Sequence, residues 1–118
     1  MLLGEPLTAV LFAQDCIEFH FERMTLRAFT PPWVRVVCGA SGELALDSSD
    51  AFRALVGNRV HSLGVREGRD IVVRFSEEKQ LIIPLTGNSA KAPVAAHFIP
   101  ESSPQVQVWN LVDGGERT

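Results

Sequence analysis

Four residues on one short alternating run come nearest to a reactive set: Cys16, Glu18, His20 and Glu22. They supply a thiol, a base and carboxylates, the types used by a thiol nucleophile or a zinc site. The period of two in a strand puts all four side chains on one face. It also separates them, because positions two apart stand roughly 6.5 to 7 Å from each other and Cys16 lies about 13 Å from His20. A zinc ion holds its ligands at about 2.0 to 2.3 Å. A Cys–His dyad needs contact at about 3 Å. The run therefore reads as the solvated face of a half-buried strand, which only neighbouring strands would turn into a site.

The remaining chemistry-bearing residues are more scattered. His61 and His97 stand beside Val60 and Phe98 with no ligand spacing between histidines, and read as boundary residues. Glu77, Glu78 and Lys79 fall in a hairpin turn, where solvated charge is the default. Gly39-Ala40-Ser41-Gly42 lacks the lysine of a phosphate loop, and the chain has no Gly-x-Ser-x-Gly elbow. Cys38 ends the apolar run 33–37 and reads as a small buried hydrophobe. Trp33 and Trp109 suit either a packed core or a binding anchor, with core packing the commoner use. No catalytic, cofactor-binding or metal-ligating residue is assigned.

The elements that would position these residues repeat. Leu3-Gly4 followed by Leu7, Val10, Ile17, Phe19, Phe21, Leu26 and Ala28 returns as Val56-Gly57 followed by Val60, Leu63, Ile71, Val73, Phe75, Leu81 and Ile83. The offset drifts from 53 at the glycines to 54 at Ile17/Ile71 and 55 at Leu26/Leu81, so insertions fall between apolar blocks, in hairpin turns. Each copy predicts a three-stranded meander, over 7–12, 17–21 and 26–29 in the first and 60–65, 71–75 and 81–85 in the second. More loosely, 31–36 corresponds to 93–98, with later strands at 43–46 and 105–109. One helix is expected between the halves, over 50–56, capped by Ser48, Ser49 or Asp50 and ended by Gly57. The first copy has no equivalent helix.

At 118 residues, 46% hydrophobic and 21% charged, the chain has the size and composition of one folded domain. The halves divide as 1–48 and 49–113, with a loose polar tail over 114–118. A net charge of -3 and a pI near 5.5 argue against a surface built mainly for nucleic acid. The apolar stretch 7–13 follows Glu5 rather than a basic segment, so it reads as a strand and not a secretory leader. No stretch has the roughly 18 to 20 apolar residues of a membrane-spanning helix. Two cysteines make no disulfide framework, and the expectation is two free thiols and a cytoplasmic location.

The expected fold is mainly β: two similar antiparallel meander halves forming a barrel or sandwich with pseudo-twofold symmetry and one short helix. An α+β open sheet is the alternative. The frame resembles small bacterial β-rich proteins, through Gly-x-x-Val at 57–60, Ile-x-Phe-x-Phe at 17–21 and Pro-x-Ala-Ala-x-Phe at 93–98. That resemblance implies a fold and no activity or cofactor.

The copies differ most usefully where Glu18 and Arg27 become Val72 and Ile82, on the faces opposite the shared core. An outer ion-pair surface thus turns apolar in the second copy, and Val72, Ile82 and Trp109 are expected to form a protein interface, most simply that of a homodimer. The alternative is cover from within, by the helix 50–56 or the strand around Trp109. The functional expectation is a non-enzymatic protein-interaction or self-association module. The competing one is a small-ligand binder or enzyme with its pocket where the halves join.

Overall fold

Alternation makes the strands, and hairpin register assembles them. The computed structural model describes residues 3–39, 42–85, 94–100 and 107–110; at 94, 95, 98, 100 and 107–110 it describes the backbone alone. In chain order the elements are β1 (Leu7–Phe12), β2 (Ile17–Phe21), β3 (Met24–Ala28), β4 (Trp33–Val37), β5 (Glu43–Leu46), α1 (Ser49–Arg53), β6 (Ser62–Arg66), β7 (Asp70–Arg74), β8 (Lys79–Pro84), β9 (Val94–Pro100) and β10 (Gln107–Asn110).

They form two antiparallel five-stranded sheets, ordered β1-β2-β3-β9-β10 and β5-β4-β8-β7-β6. Among the described residues there is no closed barrel and no single open sheet. The arrangement is sandwich-like, because one apolar cluster draws Phe19, Leu26 and Ala96 from the first sheet and Val34, Val73, Leu81 and Ile83 from the second. Each meander keeps its own three strands, but the later strands cross over: β9 joins β3, and β4 joins β8.

The expected hairpin frame is present. Phe19 pairs with Leu26 and Ile17 with Ala28, as Val73 pairs with Leu81 and Ile71 with Ile83. Phe19, Phe21, Ile71, Val73 and Phe75 are buried, while Ile17, at the start of its strand, is half-buried. The later strands differ from the expected correspondence. Val34 faces Leu81 and Phe98 faces Leu26, so Val34 corresponds in register to Phe98 rather than to Ala96. Position along the chain could not reveal this slip of two, because a two-residue slip preserves the inward face.

Where the sheets meet, the Gly4 N–H donates to the Val60 carbonyl and the Gly57 N–H to the Leu7 carbonyl, both at 2.8 Å. The Leu7 N–H donates to Asn58, and the Val60 N–H to Glu5. These four bonds are reciprocal under the pairing of Gly4 with Gly57, Glu5 with Asn58 and Leu7 with Val60. Both glycines have positive φ, 82° and 94°, a conformation costly to other residues.

The helix is shorter than expected. Ser48 Oγ accepts the Ala51 N–H at 3.2 Å, and after Arg53 the chain tightens into three-residue turns that leave Leu55 buried and Val56 exposed. Phe52 fills the core against Phe19 (5.8 Å between centroids, edge-on) and reaches Phe12 of β1 at 6.2 Å. No helix is long and apolar enough to cross a membrane, among the described residues.

Candidate functional site

The outer face of the first sheet carries the reactive-looking residues. Antiparallel register sets Glu18 opposite Arg27 and His20 opposite Thr25. Arg27 Nε donates to Glu18 Oε2 at 2.8 Å, and Glu18 Oε1 lies 2.9 Å from His20 Nε2. Burial opposes the charge on Glu18, but the hydrogen bonds from His20 and Arg27 outweigh it and hold the carboxyl below the usual range. His97, opposite Arg27, stacks edge-on against Phe29 at 5.0 Å. Both Glu18 oxygens are thus engaged in a surface ion cluster, the arrangement of a structural clamp rather than a poised base.

Cys16 is unpaired and half-buried beside a shallow hollow of about 200 Å3 lined by 13–17 and 28–32. Burial and the nearby Glu18 carboxylate push its thiol pKa up, against the mild opposing effect of Arg27, which is the reverse of nucleophile activation. Cys38 is exposed, not buried: it lies just past the end of β4, its N–H bonded to the Gly42 carbonyl. Among the described residues no three His, Cys, Asp or Glu side chains are grouped to hold a metal ion.

The outer face of the second sheet is different in kind. Its register lays out one polar row, Ser62, Arg74, Gln80 and Arg35, and beside it an apolar row, Gly64, Val72, Ile82 and Trp33. Between them lies a hollow of about 250 Å3 lined by Arg35, Ser62–Arg66, Val72, Arg74 and Gln80. Arg35 comes from the first half of the chain and the rest from the second. The Arg35 guanidinium lies 5.5 Å from the centroid of the Trp33 ring. Arg66 is engaged elsewhere, donating twice to Asp70 at 2.6 Å, which raises its pKa.

The residues expected to form an interface separate here. Val72 and Ile82 do face each other across β7 and β8, but they are only 7% and 1% exposed, surrounded in register by Trp33, Arg35, Arg74 and Gln80. The helix does not cover them; it packs on Phe12 and Phe19 at the other sheet. Trp109 lies on β10, at the edge of that other sheet, and its side chain is outside the described residues. The exposed large apolar side chains of the second sheet are instead on its edge strands: Leu63 and Val65 on β6, 37% and 39% exposed, and Leu44 on β5, 51% exposed, among the described residues.

Arg35, Arg74 and Gln80 carry no linear motif. The one local signal was Gly64 inside an alternating strand, which marks a weak or closely approached backbone. No family model, no curated protein and no solved structure matches the chain.

Proposed function

We propose that this chain is a non-enzymatic interaction module of the cytoplasm that self-associates as a homodimer through β6, and that its two halves are an internal duplication related by an approximate twofold axis. The observation that carries the self-association is the fate of two core rows. Leu81–Val73–Leu63 and Ile83–Ile71–Val65 run from fully buried positions in β8 and β7 to side chains more than a third exposed on β6. Their counterparts in the first sheet end on β1 at Val10, half-buried, and at Phe12, which is 41% exposed even with Phe52 of α1 packed on it. Among the described residues nothing packs on β6 in that way.

β6 is also an edge, with strand pairing on one side only among the described residues. Unpaired backbone groups beside two apolar side chains, with no lysine or proline on the strand and its one charge, Arg66, tied back to Asp70, are the features that edge-to-edge pairing uses. The reciprocal bonds around Gly4 and Gly57 support the duplication, and two unpaired thiols suit a reducing compartment.

Sedimentation velocity tests the dimer. The wild-type chain is expected to sediment as a dimer at about 100 μM, while Leu63→Lys is expected to be a folded monomer, since a charge on an edge strand blocks pairing. A wild-type monomer at that concentration overturns the proposal.

A further inference from the structure

We infer that the hollow on the outer face of the second sheet binds a small organic oxyanion, its charged head between Arg35 and Arg74 and its apolar body over Val72 and Gly64. This goes beyond self-association, because the whole site is built from one chain.

Three observations converge on an anion. Gln80 is 9% exposed and lines the hollow, yet its side-chain amide has no hydrogen-bond partner among the described residues. That amide is reached by solvent in the hollow, so its donors and acceptor are free for a ligand there. Arg35 Nε is buried without a hydrogen bond and is held only by an ion pair with the exposed Glu43 at 3.6 Å. Arg74, on the other side of Gln80, has no acidic partner among the described residues. Asp70, the other carboxylate on this face, is occupied by both arms of Arg66.

Register fixes the spacing. Neighbouring strands lie about 4.8 Å apart, so the backbones carrying Arg35 and Arg74 straddle Gln80 at about 10 Å. A carboxylate or phosphate between them would receive two charge-assisted hydrogen bonds and the amide N–H of Gln80. The stacking of Arg35 on Trp33 holds one guanidinium in place beforehand. The apolar share of the site is the space over Gly64, beside a Val72 side chain that is itself 7% exposed: an added Cβ at residue 64 would meet no atom within 4 Å. A volume of about 250 Å3 suits a compact anion. Pockets for drug-sized molecules start at about 300 Å3.

Amide chemical-shift titration with benzoate, phenyl phosphate and benzylamine is the test. Benzoate or phenyl phosphate is expected to shift the amides of 62–66, 72–74 and 80 saturably, while benzylamine does not. The tighter of the two anions identifies the head group as carboxylate or phosphate. Arg74→Gln, at an exposed position, is expected to weaken binding about tenfold or more, the scale of one charge-assisted hydrogen bond. Gly64→Val, which keeps a strand-favouring residue and fills the hollow, is expected to abolish the shifts while preserving the dispersed spectrum. Absence of saturation by either anion at about 10 mM, well above a millimolar affinity, overturns the inference. So does equal binding of benzylamine, or wild-type affinity in Arg74→Gln. Dimerisation is read separately by sedimentation, so either reading can fail alone.

Discussion

Glu18 and Val72 occupy matching places in two hairpins and lead opposite lives. Glu18 is tied to Arg27 across the strand pair and to His20 along its own strand, whereas Val72 meets Ile82 and is covered. The Glu18 carboxyl is held below its usual range, so it contributes stability above its unfolded pKa of about 4.3, and that contribution is lost as pH falls through the lower folded value. Glu18→Gln is therefore expected to lose stability near neutral pH and to show a shallower decline as pH falls below the ordinary carboxylate range. Urea denaturation across that range checks it, and parallel acid slopes for both proteins would contradict the assignment. The pair contributes modestly because Arg27 is 41% exposed.

At the scale of elements, β7 is the strand on which the second sheet depends. Ile71 and Val73 are fully buried on its inner face, Val72 is nearly so on its outer face, and Phe75 closes its end at 7% exposed. Truncating Phe75 removes a ring from a site lined by strands that cannot collapse around it. Phe75→Ala should therefore cost about 3 to 5 kcal/mol, the usual range for a buried aromatic. Chemical denaturation measures this, and a loss below about 1 kcal/mol, the scale of a surface change, would place Phe75 outside the core. The helix matters for its position rather than its length: one turn suffices to put Phe52 between Phe12 and Phe19.

For the molecule as a whole, the crossing of the late strands decides how the halves depend on each other. Without 48–118, β3 loses β9; without 1–47, β8 loses β4. Each half alone would then expose the inner row of a three-stranded meander, too little apolar burial to offset chain entropy. Fragments 1–47 and 48–118 are each expected to lack a cooperative thermal transition, and an equimolar mixture to regain one. Calorimetry checks this, and a cooperative transition in either fragment alone would show that it holds its own core.

The sequence by itself determined the strands and their faces. Alternation over 17–21 and the matched frame at 71–75 specified which side chains turn inward, because period-two burial is a local property of extended backbone. It also carried the hairpin registers, since turn length and the inward set leave little freedom. Tertiary structure alone decided that β4 and β9 exchange sheets, that Val34 corresponds in register to Phe98, that Val72 and Ile82 are covered, and that Leu63 and Val65 are not. It alone set Arg35 of one half beside Gln80 and Arg74 of the other. Strand order and long-range register rest on contacts between residues tens of positions apart, and no local period of the chain records which distant strand fills a vacant edge.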